Sequence, residues 1–139
     1  MSVTIPLVHR PFCGSVAASP LDVGLRLRWA AALAAAIVLL VPTWPGLTLG
    51  LVALLAPDVP LLLPRAWASG GRLRPWVVPA YNATHAVVGP VVVAAVGLGV
   101  VGLGAGTELL GVAAGWLAHV AVDRVLGYDL RDRNGDVRR

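Results

Sequence analysis

The feature that most constrains the fold of this sequence is a series of four apolar segments separated by short breaks. The segments cover residues 27–41, 47–63, 76–104 and 108–126. A helix that crosses the hydrocarbon core of a bilayer needs about 20 mainly apolar residues. Hydrophobic residues make up 58% of the chain and charged residues only 13%, well below the usual quarter. The sequence therefore predicts an all-α polytopic membrane protein, built as a four-transmembrane-helix bundle.

The distribution of arginine predicts how this bundle is oriented. All 11 basic residues are Arg. With four spans, the N-terminus, the loop at 64–75 and the C-terminal tail share one side, and every Arg lies on that side or at a helix end facing it. The other two loops, 42–46 and 104–107, contain no basic residue. The positive-inside rule then places both termini in the cytoplasm, so we expect a multi-pass protein of the cytoplasmic (inner) membrane.

The same composition limits the classes of partner. The arginines form short clusters beside apolar segments, with no basic face interleaved with aromatic residues, so we expect no nucleic acid partner. The predicted partner is the lipid bilayer. Glycines four residues apart, such as Gly111 and Gly115, suit close helix packing and leave a homo-oligomer through glycine-rich faces open. The lone Cys13 excludes an intramolecular disulfide and a cysteine-based zinc cluster.

Three regions follow from the positions of the apolar segments. Residues 1–26 form a cytosolic or interfacial lead-in, without the continuous apolar core of a signal peptide. Residues 27–126 form the transmembrane domain. Residues 127–139 form an Arg-rich cytosolic tail, which we expect to be solvated and partly disordered because its charges alternate.

Prolines mark two places where the apolar segments are interrupted. Pro57 and Pro60 bracket Asp58 near the end of the second segment. Each proline removes a backbone donor, and broken helices at membrane depth are tolerated only where protein or water satisfies the freed groups. This makes Asp58 a candidate site residue. Pro90 lies in the middle of the third segment, which we expect to form one helix.

Four ionisable residues are predicted to lie at one depth. His119 and Asp123 are four residues apart and share a helix face. At about 1.5 Å per residue, these two residues, Asp58 and His85 all fall within roughly 5 to 13 Å of the cytoplasmic ends of their segments. Imidazole and carboxylate groups suit zinc or manganese. The sequence therefore predicts one divalent metal ion bound by Asp58, His85, His119 and Asp123 on the cytoplasmic side.

The roles within this set follow from ligand chemistry. A catalytic zinc keeps an open position, so one carboxylate of a metal-dependent hydrolase must act as a base, and Asp123, expected nearest the water, is the catalytic candidate. Tyr81 and Asn82 precede His85 by four and three residues, so they either orient its imidazole or hydrogen-bond across the bundle. Arg124 is an anchor for topology, an ion-pair partner or a contact for an anionic headgroup.

Two other interpretations stay open at this point. In a non-enzymatic scaffold or accessory subunit, Asp58 or Asp123 pairs with Arg124 or Arg65, and the histidines hydrogen-bond between helices. A proton pathway ranks last because the outer half of the bundle has few polar residues. The letters of 97–102 match a dinucleotide fingerprint, but no strand precedes them, so we expect no organic cofactor.

Three blocks of the sequence carry a resemblance to a known family. They are Ala56-Pro57-Asp58, Tyr81-Asn82-Ala83-Thr84-His85 with Pro90, and Trp116 to Tyr128, read as WLAHVAVDRVLGY. In these blocks the sequence resembles the DUF4260 family of small bacterial integral membrane proteins, over roughly Leu33 to Leu130, with departures at Val59-Pro60 and at Asp129. The resemblance implies a membrane location and a shared His/Asp pattern, but no activity. A weaker similarity to small membrane proteins described as metal-dependent hydrolases ranks hydrolysis first among the activities.

Overall fold

The computed structural model describes residues 20–40 and 47–137. The predictions for residues 1–19, including Cys13, and for the turn at 42–46 lie outside these ranges. The described part confirms the all-α class, since it contains no strand and only two isolated β-bridges. Its helices are α1 (Pro20–Leu40), α2 (Leu47–Leu55), α3 (Val78–His85), α4 (Val88–Gly102) and α5 (Glu108–Leu126), with 3₁₀ helices at Ala56–Leu62 and Ser69–Gly71.

Helix α5 is the centre of the fold and packs against α1, α2 and α4. Small residues make this possible because they let helix axes approach closely. The Cα of Gly115 lies so close to the backbone carbonyl of Gly50 on α2 that no side chain fits there. Gly89 on α4 likewise lies against the ring of Trp116. The buried face of α5 consists of Gly111, Ala113, Ala114, Gly115, Ala118, His119, Val120 and Ala121.

The helices around α5 alternate in direction along the chain. Arg26, near the start of α1, lies beside Gly127 at the end of α5, so α1 and α5 are antiparallel. Helix α2 runs parallel to α5, since Gly50 lies beside Gly115 and Asp58 beside His119. Helix α4 runs antiparallel to α5. The start of α1, the loop after residue 62 and the C-terminal tail therefore meet at one end of the molecule.

The second apolar segment breaks where its prolines predict. Helix α2 ends at Leu55, and Ala56–Leu62 continues as a 3₁₀ helix with Pro57 and Pro60 buried. Each proline lacks an N–H group, so the α-helical hydrogen bonds cannot continue through this segment. A 3₁₀ helix rises about 2.0 Å per residue and places every third side chain in one row. This segment carries Asp58 along the surface of α5.

The third segment differs from the single helix that we predicted. It forms α3 and α4, which meet at an angle of 45°. Pro90 explains the break, because it cannot donate to the carbonyl of Ala86 four residues earlier and its ring would clash with that carbonyl. The Gly89 N–H donates to Ala86 instead, at 3.3 Å. His85 thereby becomes the last residue of α3.

Length and composition identify one membrane-capable helix in the described ranges. Helix α5 is long and apolar enough to cross a bilayer, and the bent pair α3–α4 meets the same criterion if it counts as one span. The stretch Leu47–Leu62 is apolar but shorter. Helix α1 begins at Pro20, so it includes residues that we assigned to the lead-in. These findings support membrane character only weakly, since a buried core helix meets the same criterion.

The C-terminal tail is folded against the loop that precedes α3, in contrast to the solvated segment that its charges predict. The Leu73 N–H donates to the carbonyl of Gly135 at 3.1 Å. Isolated bridges join Trp67 to Leu73 and Arg131 to Val137. The loop and the tail thus form a cap over one end of the helices.

Candidate metal centre

The structure brings the four predicted ligand residues to one point, although they come from three separate chain segments. The Nε2 atoms of His85 and His119 lie 3.2 Å apart. Asp58 Oδ1 lies 3.5 Å from the His85 Nε2 atom and 3.7 Å from the His119 Nε2 atom. Asp123 Oδ2 lies 3.4 and 3.6 Å from the same two atoms. Asp58, His85 and His119 therefore offer three donor atoms within 4.8 Å of one another, and Asp123 lies outside that group although it is close to both imidazoles.

These distances fit a tetrahedral ion. Zinc binds imidazole nitrogen at about 2.0–2.1 Å and carboxylate oxygen at about 2.0–2.2 Å. In a regular tetrahedron, bonds of that length place the donor atoms about 3.3–3.6 Å apart. The five measured donor-to-donor distances run from 3.2 to 3.7 Å. The histidine–carboxylate distances thus suit a tetrahedral ion, and the residues whose donor atoms all lie within 4.8 Å of one another are Asp58, His85 and His119.

The four side chains differ in their accessibility. Both histidines are buried. The side chain of Asp123 is 17% exposed and that of Asp58 is 50% exposed. We expected Asp123 to lie nearest the water, but the order is the reverse. Asp58 is therefore the most accessible member of the cluster.

Local contacts fix the orientation and tautomer of His85. Its Nδ1 atom lies 2.8 Å from the backbone carbonyl of Tyr81. A carbonyl only accepts hydrogen bonds, so Nδ1 carries the proton and the lone pair of neutral His85 is on Nε2, facing the cluster. The Tyr81 ring also stacks on the imidazole, with centroids 3.8 Å apart and an interplanar angle of 20°. Tyr81 therefore contacts His85 through both its backbone and its ring.

Side chains of α5 satisfy the carbonyls that the break after α3 leaves free. The Trp116 indole N–H donates to the carbonyl of Thr84 at 2.6 Å. The Arg124 guanidinium donates to the carbonyl of His85 at 3.1 Å and pairs with Asp129 at 3.3 Å. The acidic partner of Arg124 is therefore Asp129, and not Asp58 or Asp123 of the cluster. The WLAHVAVDRVLGY block thus holds the end of α3 as well as supplying His119 and Asp123.

Thr84 links the 3₁₀ segment that carries Asp58 to helix α3. Its hydroxyl group lies 3.0 Å from the carbonyl of Pro57 and 3.0 Å from His85 Nδ1. Because Asp58 follows Pro57, this contact ties the carboxylate to the turn of α3 that carries His85. We assigned no role to Thr84 from the sequence. Its position directly before the candidate ligand His85 was the one signal that pointed to it.

Asn82 contacts the C-terminal tail and not the imidazole. Its amide donates to the carbonyl of Arg131 and accepts from the Arg131 N–H, both at 2.8 Å. We predicted no role for Arg131 because we expected the tail to be solvated. One signal was present, since Asn134-Gly135 is a strong hairpin-turn sequence that suggests an ordered segment around it.

The fold and the cluster define a small all-α protein with a His/Asp group that can hold a metal ion. The chain belongs to the DUF4260 family, whose description is a domain of unknown function, and the family model matches residues 23–136. This match extends beyond the range of the resemblance at both ends and includes Arg131. No curated protein matches the chain. No solved structure matches it.

Proposed function

We propose that this protein is a four-span integral membrane protein that binds one divalent metal ion, zinc before manganese, in a cytoplasm-facing centre and uses it for hydrolysis. The observation that carries the proposal is the convergence of the donor atoms of Asp58, His85 and His119 within 4.8 Å of one another, with Asp123 3.4 and 3.6 Å from the two imidazoles. Buried ionisable groups are costly, and within a membrane they are retained mainly for pairing or function.

Apolar side chains that face outward support the membrane location. Soluble monomers rarely expose contiguous apolar patches of more than a few hundred Å². Here the outer faces of three helices are apolar, as the side chains of a lipid-facing surface are expected to be. Examples exposed over more than half of their surface are Leu27, Ile37 and Val38 on α1, Leu51, Val52 and Leu55 on α2, and Val88, Val91 and Leu98 on α4.

The charges support the orientation with both termini in the cytoplasm. The described arginines lie near the start of α1, in the loop at 63–77 or near the end of α5 and in the tail, which is one end of the molecule. The turn between α4 and α5 contains none. An excess of Arg at one end marks the cytoplasmic side of a membrane protein.

The exposure of Asp58 supports a catalytic centre. A bound ion lowers the pKa of a coordinated water to about 7, which yields a nucleophile at neutral pH. His85, His119 and Asp123 suffice as three protein ligands, and Asp58 is then free to accept the proton of that water. During hydrolysis of an ester, Asp58 would accept a proton from the attacking water and return it to the leaving alcohol as the ester bond breaks.

The surroundings of Asp58 favour an amphiphilic substrate from the cytoplasmic leaflet. Asp58 is the most exposed member of the cluster, and its neighbours Leu55, Val59 and Leu62 are exposed over 71%, 54% and 80% of their surface. A soluble polar substrate would have to cross this apolar border. A lipid can lay its hydrocarbon chain against these side chains while its ester group reaches the ion.

The presence of two carboxylates beside the two histidines also favours a second candidate, a scaffold with a structural ion. Structural zinc sites use four protein ligands, whereas catalytic sites use three. The Asp58→Asn variant separates the two. A catalytic centre retains the ion on three ligands and loses hydrolysis, whereas a structural site loses metal affinity and thermal stability together.

Metal analysis tests the proposal itself. We expect one divalent ion per chain in detergent-purified wild type and none in the His85→Ala, His119→Ala double variant. The Glu108→Gln variant is the matched control, because Glu108 is an acidic residue on α5 about 22 Å from Asp123 along the helix. A wild type without stoichiometric metal would refute the proposal.

A further inference from the structure

Arg131 is a buried cation in the tail, close to the candidate metal centre. The residue is only 8% exposed. One terminal guanidinium nitrogen donates to the carbonyl of Gly135 at 3.3 Å, and within the described ranges the Nε atom has no hydrogen-bond partner. Burying a charged group that is incompletely bonded costs free energy. Such a residue is retained only where another contact offsets this cost.

That contact is the ring of Tyr81. The Arg131 guanidinium carbon lies 5.7 Å from the Tyr81 ring centroid, within the range of a cation–π interaction. The same ring stacks on His85. Arg131, Tyr81 and His85 therefore form a row that leads from the tail to the cluster.

The backbone reinforces this row. Two hydrogen bonds of 2.8 Å join the Asn82 side chain to the backbone of Arg131. Asn82 directly follows Tyr81 on α3, so the tail is attached to the helical turn whose Tyr81 carbonyl accepts the proton of His85 Nδ1. A shift of this turn moves the imidazole.

The tail has its own turn, which holds Arg131 in place. The Asp132 carboxylate accepts from the N–H groups of Asn134 and Asp136 at 2.8 and 3.0 Å. Gly135 has a φ of +84° and lies against the backbone of Leu73, where no side chain fits. This local structure shows that the position of the tail is specific.

We propose that Arg131 is a positioning residue that orients His85 through Tyr81, so that the C-terminal segment 128–137 forms part of the metal centre. The inference rests on the proposed function, because it needs an ion at the cluster. Contacts that orient a metal-bound histidine typically change metal affinity by about 10- to 100-fold when they are lost.

The test compares Arg131→Met with Arg133→Met in the full-length protein. Arg133 is exposed and lies two residues away, so both variants remove one positive charge from the same segment. Zinc affinity is measured by chelator competition, and the visible spectrum of the Co²⁺-loaded protein reports ligand geometry. We expect zinc affinity to fall about tenfold or more in Arg131→Met, with an altered Co²⁺ spectrum, and to stay at the wild-type value in Arg133→Met.

Each outcome decides the inference. Equal affinities and equal Co²⁺ spectra in the two variants would overturn it while leaving the proposed function intact. A wild type that binds no zinc would overturn both. If Arg131→Met does not fold, Arg131→Gln decides: it removes the cation over Tyr81 but keeps hydrogen-bonding capacity, so a lower affinity with an altered Co²⁺ spectrum supports positioning and an unchanged affinity and spectrum overturn it.

Discussion

The Nε2 atoms of His85 and His119 face each other at 3.2 Å, although the residues are 34 positions apart in the sequence. The bond from His85 Nδ1 to the Tyr81 carbonyl leaves a lone pair on its Nε2 atom. Without an ion, His119 donates a proton across this gap. With an ion, both nitrogens bind it, and the proton of His119 moves to its other nitrogen or to solvent. The same geometry thus allows both states, and thermal unfolding with zinc or with a chelator distinguishes them.

Zinc is expected to raise the thermal stability of the wild type. A ligand at about 100 times its dissociation constant stabilises the folded state by about 2.7 kcal/mol. Thermal unfolding in detergent, with zinc or with a chelator, measures the shift. The shift should disappear in Asp123→Asn and persist in Glu108→Gln. The same shift in both variants would place the bound zinc elsewhere.

Alanine at Gly115 is expected to destabilise the fold, whereas alanine at Gly99 is not. A Cβ at Gly115 overlaps the carbonyl of Gly50, which costs about 1–3 kcal/mol. No atom lies within 4 Å of a Cβ at Gly99, where helix propensity favours Ala by up to about 1 kcal/mol. Unfolding midpoints of the two variants should therefore move in opposite directions. A loss of stability in both would show that helix α4 has an additional partner at Gly99.

Replacing Trp116 by Phe is expected to cost about 1–3 kcal/mol, because the carbonyl of Thr84 loses its indole donor. Phenylalanine also lacks the far edge of the indole that packs against Gly89, so the measured cost includes lost packing. Trp76→Phe is the control, since Trp76 is exposed. Thermal unfolding measures both. Equal midpoints would mean that water replaces the indole at the break between α3 and α4.

Cysteine labelling tests the orientation. In a Cys13→Ser background, Ser69→Cys should react with a membrane-impermeant maleimide from the cytoplasmic side and Ala105→Cys from the other side, because the basic loop stays in the cytoplasm. Both residues are exposed. Inverted and right-side-out vesicles separate the two sides. Labelling of both cysteines from one side would rule out the four-span topology.

A polar residue at Leu62 is expected to weaken hydrolysis of long-chain esters more than of short-chain esters, because the apolar border beside Asp58 holds the hydrocarbon chain. A series of fluorogenic esters with one head group and increasing chain length measures the ratio of kcat/KM values for Leu62→Asn. Leu98→Asn on α4 is the control, since it changes another exposed leucine, 64% against 80% for Leu62, on a different helix. If both variants change the chain-length ratio alike, the border does not select the substrate.

Residue spacing predicted that the side chains of the cluster lie at one depth because the rise of a helix is constant. Counting about 1.5 Å per residue from the helix ends placed Asp58 and His119 at one depth, and the two side chains do meet. The break at Pro57 was predictable for a similar reason, since proline acts locally. The break at Pro90 follows from the same rule, yet the apolar composition of the segment favoured one helix.

Contacts that depend on packing were not predictable. Whether Asp58 or Asp123 is the more exposed depends on how the separate segments pack together, which no local pattern encodes. The bond between Asn82 and Arg131 joins residues 49 positions apart, and the charges of the tail suggested solvent. Such contacts are selected by the whole fold, so sequence spacing within one helix carries no information about them.

The close approach of Gly50 and Gly115 has a consequence for the axial register of the bundle. Asp58 follows Gly50 by eight residues, and Asp123 follows Gly115 by eight residues, on helices that run in the same direction. A 3₁₀ helix rises about 0.5 Å more per residue than an α-helix, so its first three residues move Asp58 only about 1.5 Å further along the helix axis. Inserting one residue before Asp58 would rotate its carboxylate by about 100° and remove it from the histidines. The number of residues between each glycine and its aspartate is therefore constrained. The identity of the apolar residues between them is not part of this constraint.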